Sequence, residues 1–333
     1  MRRLVCVLSV VAACGGDPSA PSPQTFEFGP YTLAPGQEIT GQCVSATLNN
    51  ETPLYVNAVE LTTGPGFHHS NWFWVPDNTF VGADGTWRCD DRAYDEAVAG
   101  LQGGVLFAQS TQAQHEVQAF PIGAATVVPP HSRILAGTHL LNTGDAAVTL
   151  SLKLTITPIA EPTTILTPTS LVNESIALPP HRVSHFTMDC DIDKAYRNVT
   201  GMSPTFSFYY ALAHYHDLGR GLTIEAVKTD GSATTIFSTT NAVGDALGGT
   251  IDPAFSLAGY QKVRFMCAYD NPRDTTVTWG VGDKEMCTFL AWTDSEYTWT
   301  GGVLSSNETP TITDFGDYIE YAYPCAPIGK LVE

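Results

Sequence analysis

Six residues of this chain offer soft or borderline metal ligands in two similar groups: His68, His69 and His139, then His214, His216 and Met286. Each group is a close pair of histidines followed by a third ligand, and the interval to that third member is 70 residues both times (69 to 139, 216 to 286). Imidazole suits copper, zinc, iron and nickel alike, whereas a thioether favours Cu(I), so the second group points to copper and to redox chemistry. Two metal sites, one per domain, are expected. In His214-Tyr215-His216 the imidazoles are two residues apart, so on a strand both leave the same face and can share an ion, while Tyr215 points the other way. The adjacent His68 and His69 would point to opposite faces of a regular strand. They can share an ion only where the backbone is irregular, and Gly64-Pro65-Gly66 just before them supplies a means. His115, His131, His181 and His185 have no such context and read as structural, although His181 and His185 form an alternative close pair.

The elements that must position these ligands read as strands throughout. Val148 to Thr157, Thr223 to Thr229 and Lys262 to Tyr269 alternate or are rich in β-branched and aromatic residues, with Gly and Pro punctuating them closely. A short helix near Asp91 to Gly100 is the only helical pattern. Many short strands divided by turns indicate an all-β protein of β-sandwiches or jelly rolls. A chain of 333 residues exceeds what one core usually organises, and a proline-bearing boundary lies at Pro158 to Ser170. One antiparallel sandwich is therefore placed at 25–160 and a second at 170–333. The series Phe206 to Leu212 makes the approach to His214 a core strand, and the aromatic residues Trp72, Phe73, Trp74 and Tyr215 are either core or pocket lining.

Lys+Arg 16 against Asp+Glu 34 gives a net charge of −18, which disfavours nucleic acid and anionic membrane as partners. Arg2 and Arg3 precede the apolar run Leu4 to Ala13, too short for a mature membrane span. The run ends Val11-Ala12-Ala13-Cys14-Gly15, which resembles a bacterial lipobox with Cys14 as the lipidated first residue of the mature protein. Residues 1–24 then comprise signal and flexible tether, and the protein is exported to the cell envelope, meeting the membrane only through a lipid at Cys14. The remaining cysteines, Cys43, Cys89, Cys190, Cys267, Cys287 and Cys325, are even in number, as three disulfides in an oxidising compartment require. Cys43 with Cys89 is the simplest N-terminal choice, and the other pairings stay open at this level. Sequons begin at Asn50, Asn173, Asn198 and Asn307, though a lipobox argues against a glycosylating host.

Phe67-His68-His69, Thr138-His139-Leu140, His214-Tyr215-His216-Asp217-Leu218-Gly219 and Asp283-Lys284-Glu285-Met286-Cys287 resemble, in order, the ligand motifs of the copper type II, ascorbate-dependent monooxygenases. Cys267 to Asn271, shortly before Trp279 to Gly282, is also similar to that family's segment upstream of its methionine. The likeness runs across both domains. It implies two jelly-roll domains facing a shared solvent-filled cleft, with two copper ions per chain. His68, His69 and His139 would hold the electron-transfer copper; His214, His216 and Met286 would hold the catalytic one, where dioxygen is used to hydroxylate a substrate C–H bond. Ascorbate or another two-electron reductant would supply the electrons, and a monomer is expected. The resemblance also implies Cys267 with Cys287 and Cys190 with Cys325. Departures bear on the substrate. Leu212, Thr288 and Leu290 stand where the peptide-amidating members hold a substrate carboxylate, and Gly137 or Thr138 replaces a glutamine beside the third histidine. A small or peptide-like substrate that is uncharged is therefore expected, and peptidylglycine is not. The alternative from another class is a surface lipoprotein that binds copper or a ligand without turnover.

Overall fold

The computed structural model describes residues 21–280, 282–303, 309–325 and 327–331. The signal, the lipobox cysteine Cys14 and the Asn307 sequon lie outside the described residues. What is described is almost wholly strand, in four main sheets that divide the chain at Leu166.

In the first half, one sheet orders Gln24–Leu33, Val148–Ile159, Leu54–Thr62, Ala124–Val128 and Thr164–Ile165, with His115–Ala119 also paired to Leu54–Thr62. It packs on a five-stranded sheet ordered Gly85–Arg88, Glu38–Thr47, Ser132–Leu141, Phe67–Pro76 and Gly104–Phe107. Alternation along Val148–Ile159 sends Leu150, Leu152, Leu154 and Ile156 inward to meet Val44, Trp72, Ile134 and Leu140 from the opposite sheet. The second half repeats the plan. One sheet orders Gly248–Ser256, Ser207–His214, Thr288–Thr293, Thr167–Asn173, Tyr297–Val303 and Ile328–Leu331; its partner orders Ala233–Thr239, Gly219–Val227, Lys262–Asn271, Arg182–Cys190, Ile319–Cys325 and Thr311–Asp314. Phe208, Phe265 and Phe289 are fully buried between them, with ring centroids 6.1–6.2 Å apart. The protein is thus all-β, two sandwiches in tandem. Pairing among the described strands is antiparallel except where Thr164–Ile165, Thr167–Asn173 and Arg182–Cys190 each meet one neighbour in parallel.

The sheets change within the expected boundary Pro158 to Ser170: Thr164–Ile165 extends the first sheet, and after the single residue Leu166 the strand Thr167–Asn173 enters the second. Uncharged β-branched residues there have backbone partners on both sides. A helix also occurs that was not expected, Ile192–Thr200, capped by the Asp191 carboxylate accepting from Lys194 N and ended by Gly201 at φ 76°. Ile192, Ala195, Tyr196 and Val199 hold the helical spacing i, i+3, i+4 and i+7, a period that over 9 residues is too short to stand out among strands. The expected helix forms at Glu96–Gln102. None of the described helices is long and apolar enough to cross a membrane.

Three disulfides tie the sheets: Cys43–Cys89, Cys190–Cys325 and Cys267–Cys287. The second sandwich's core also reaches into the first through Ala108, Phe120 and Ala124; the Phe120 ring lies 5.9 Å from Trp292 and 6.2 Å from Tyr210. This apolar seam fixes the sandwiches against each other. Because Phe289 is wholly buried at the centre of the second core, Phe289→Ala is expected to cost about 3–5 kcal/mol of stability by urea unfolding. A loss under about 1 kcal/mol would contradict this packing.

Candidate metal centre

His68 and His69 share a site because the strand that carries them is not regular. Phe67 pairs with Leu140 and His69 with His139, so His68 is an extra residue in the ladder, a bulge. The bulge overcomes the alternation that would otherwise separate adjacent side chains, and it places His69 directly opposite His139. Ring centroids are 5.1 Å apart for His68 and His69, 4.4 Å for His68 and His139, and 5.2 Å for His69 and His139. One ligand nitrogen from each of the three lies within 4.8 Å of the others.

The second pair is built differently from the expected strand face. Ser207–His214 ends at His214, and His216 lies beyond it, at the start of the turn closed by Gly219 N donating to His216 O at 2.9 Å. A Cβ on Gly219 would meet the Tyr215 ring at 2.1 Å, so the turn requires glycine there. Tyr215 is buried, its hydroxyl donating to Asn241 O at 2.6 Å. The imidazoles of His214 and His216 nonetheless converge, with centroids 5.4 Å apart. The Glu285 carboxylate holds the turn, accepting from His216 N at 2.9 Å and Leu218 N at 2.7 Å. Met286 follows Glu285 directly. Its carbonyl accepts from the Tyr269 hydroxyl, and its neighbour Cys287 is bonded to Cys267. The backbone of the expected third ligand is therefore tied to the same turn that carries His216.

The two pairs do not stand apart. His68 lies 6.2 Å from His216 and His69 6.0 Å from His214, centroid to centroid, so five imidazoles from two sandwiches form one cluster. An open pocket of about 270 Å³ adjoins it, lined by Glu38, Glu96, His69 and His139 of the first sandwich and Gly282 of the second.

Each outer nitrogen that has a partner leaves the other nitrogen of its ring free. His139 Nε2 donates to Glu38 Oε1 at 2.7 Å, His216 Nδ1 to the Lys284 carbonyl at 2.8 Å, and His214 Nδ1 faces the Gln109 carbonyl at 3.4 Å. Those contacts fix tautomer and ring orientation in the way that outer partners of metal-binding histidines do. His68 Nε2, His69 Nδ1 and His216 Nε2 are buried and have no partner within the protein. Orphaned buried nitrogens of this kind need an occupant. Burial pushes His68 down to about 4 and His214 down to about 3, helped by neighbouring histidines; His69 and His216 move in the same direction, again chiefly through desolvation. The rings are thus neutral at physiological pH, the state in which imidazole binds a metal. An all-imidazole donor set of this kind fits copper, as it fits zinc, iron or nickel.

No family model matches the chain, and no curated protein matches it. Among solved structures it is similar to the major capsid protein P2 from bacteriophage PM2, at 8% identity and a TM-score of 0.33 over 82% of this chain and 97% of that one. It is also similar to a triple jelly roll protein of an archaeal virus (8% identity, TM-score 0.25, 79% of this chain and 59% of that one) and to the PBSX exported protein XepA (9%, 0.20, 81% and 86%). Scores this low carry no argument about fold or activity.

Other residues singled out from the sequence sit elsewhere. Trp72, Phe73 and Tyr215 are core, whereas Trp74 lines a cavity of about 420 Å³ between the sandwiches, walled also by Gly104, Thr126, Leu166, Pro168 and Leu290 and by no charged side chain. Leu212 is buried opposite Leu290, and Thr288 pairs with His214. His181 bonds Asp274 at 2.8 Å, and His185 stacks on Tyr318. Thr138 shares hydrogen bonds with Gln42.

Sequence reasoning missed the segment 108–113, which touches both halves of the cluster. Gln112 N donates to His68 O at 2.6 Å, Gln109 Oε1 accepts from Ser70 N, Thr111 Oγ1 donates to Tyr215 O at 3.1 Å, and Ser110 Oγ accepts from Leu247 N at 2.6 Å. Beneath it Glu116, 1% exposed, accepts from Ser110 N at 2.7 Å and Ser110 Oγ at 2.5 Å. Burial raises the Glu116 carboxyl to about 7, against those two hydrogen bonds. A carboxyl raised in the folded state stabilises fully below its unfolded value near 4.5, and that stability is lost as pH rises through 7. Glu116→Gln is therefore expected to gain on the order of 2–3 kcal/mol on wild type between about pH 4.5 and pH 8 in urea unfolding. Glu285, also raised to about 7, leaves a residual slope of the same sign. An unchanged slope in the variant would contradict the assignment.

Proposed function

We propose that the protein is an exported, copper-dependent monooxygenase that hydroxylates an uncharged substrate. The observation that carries this reading is the convergence of five imidazoles from two sandwiches, with outer nitrogens of His139, His214 and His216 held by a carboxylate or a carbonyl and buried nitrogens of His68, His69 and His216 left without a protein partner. Met286, on the backbone that clamps His216, adds the soft ligand that favours the reduced metal. Three disulfides support an oxidising compartment.

Copper held by His68, His69, His139, His214, His216 and Met286 would supply one-electron redox chemistry toward dioxygen. The overall reaction converts R–H, O2, two electrons and two protons into R–OH and water. One oxygen atom enters the C–H bond, and the other leaves as water. The electrons and protons come from a reductant such as ascorbate, which is thereby oxidised. The chain's own part is positional. Glu38 and the carbonyls of Gln109 and Lys284 orient the imidazoles of His139, His214 and His216, and burial favours the unprotonated form of His68, His69, His214 and His216.

The substrate is assigned to the cavity between the sandwiches. Its volume suits a small organic molecule, and its walls offer apolar surface, backbone and threonine hydroxyls with no ion to pair a charge. Leu290 in its wall pairs with Leu212, which lies two residues before His214 on the same face of the strand. Sequestration of copper without turnover is the competing reading, and product analysis separates the two. With copper, a reductant and uncharged candidate substrates under isotopic dioxygen, mass spectrometry should find one labelled oxygen per product molecule. Met286→Ile or His216→Ala should abolish that product. Leu290→Arg should leave bound copper unchanged and lose turnover of uncharged substrates. Copper-loaded protein that makes no labelled product with any of them supports sequestration instead.

A further inference from the structure

We propose that the outer face of the second sandwich carries a binding cleft for an uncharged saccharide, none of whose residues belongs to the metal centre. Alternation along Arg182–Cys190 sends Phe186 and Met188 into the core and turns His185, Thr187 and Asp189 outward. Register sets a partner beside each of them. Asp189 lies beside Arg264, and Arg264 beside Glu225; Thr187 lies between Met266 and Ala322; His185 is opposite Glu320. Small side chains at Thr187 and Ala322 keep the floor low, and longer ones stand around it. The result is an open cleft of about 890 Å³ whose floor spans four strands, roughly 14 Å across, wide enough for a short chain of sugar rings.

A sugar hydroxyl both donates and accepts, so a site for a saccharide needs both functions side by side and already held in place. The cleft supplies them. Arg264 donates to Asp189 at 2.6 and 3.2 Å and lies 3.6 Å from Glu225, and the Thr187 hydroxyl donates to Glu320 at 3.0 Å, so these groups hold one another in position. Burial lowers the His185 pKa against the pull of Glu320, which keeps the ring neutral with one nitrogen to donate and one to accept. The rings of His185 and Tyr318 stack at 4.2 Å, and Phe315 stacks on Tyr318 at 4.9 Å while 54% exposed, an aromatic surface suited to the C–H face of a sugar. Charge narrows the ligand further. Asp189, Glu225 and Glu320 are met by Arg264 and by Lys262, which approaches Asp189 at 3.5 Å, so the cleft is near balance and offers a polycation little. A net charge of −18 on the whole chain disfavours a polyanion.

The test reads binding alone and needs neither copper nor turnover. The full mature chain is run through native gels cast with starch, xylan, β-glucan or mannan, and with heparin as the anionic control. At least one neutral polymer should retard it, and heparin should not. Arg264→Met and Tyr318→Ala should each weaken that binding by about tenfold, the order carried by a hydrogen bond from a charged group or by a stacked ring. Ala322→Trp fills the floor and leaves every charged group in place, and it should abolish retardation with the far-ultraviolet circular dichroism unchanged. Retardation by no neutral polymer, or retardation that all three variants keep, would overturn the proposal. So would binding of polylysine in place of a neutral polymer, if Ala322→Trp removes it.

Discussion

The packing of five imidazoles against one another across the two sandwiches is the constraint on which the site depends. Desolvation holds His68, His69, His214 and His216 below the ordinary imidazole pKa, and neighbouring histidines add to that effect. A cluster of this kind is costly unless something fills it, because buried nitrogens with neither water nor donor lose their hydrogen bonds outright. A soft cation removes that cost. The surrounding groups are arranged for that occupant: a carboxylate and two carbonyls take the outward edges, and the inward edges are left free.

Each departure from regular strand geometry near the cluster serves it. A bulge at His68 brings adjacent side chains to one side of the sheet. A turn that only glycine permits at position 219 carries His216 past the strand end, and Glu285 replaces the missing ladder by binding two backbone amides. The Cys267–Cys287 bond and the Tyr269 hydroxyl then fix the residue between Glu285 and Cys287, which is Met286. The sandwiches themselves are ordinary. Register shifts occur elsewhere in both sandwiches, as between Phe28 and Tyr31, but those at His68 and the turn at Gly219 are the ones that bring histidines together.

The strands and their inward faces were legible because alternation along segments such as Lys262–Asn271 is strict, and the cysteine count made three bridges readable. The five histidines that converge were legible by type and spacing. What lay out of reach was the contact between the two groups. It depends on the packing of Phe120 against Trp292 and on hydrogen bonds from 108–113, which join residues more than a hundred positions apart and leave no periodic trace. Glu116 and Glu285 were missed for a related reason. A single carboxylate looks solvated in sequence, and only the fold reveals that both bind backbone amides in the interior. The helix Ile192–Thr200 escaped because its apolar stripe, Ile192, Ala195, Tyr196 and Val199, spans little more than two turns.

The account turns on copper lying among residues from both sandwiches. Diffraction from crystals of the copper-loaded chain, collected at energies on either side of the copper absorption edge, tests this most directly. The account predicts two anomalous peaks, one among His68, His69 and His139 and the other among His214, His216 and the Met286 sulfur. Copper found only at the first trio, with Met286 directed away and His216 Nε2 still unpartnered, would contradict it.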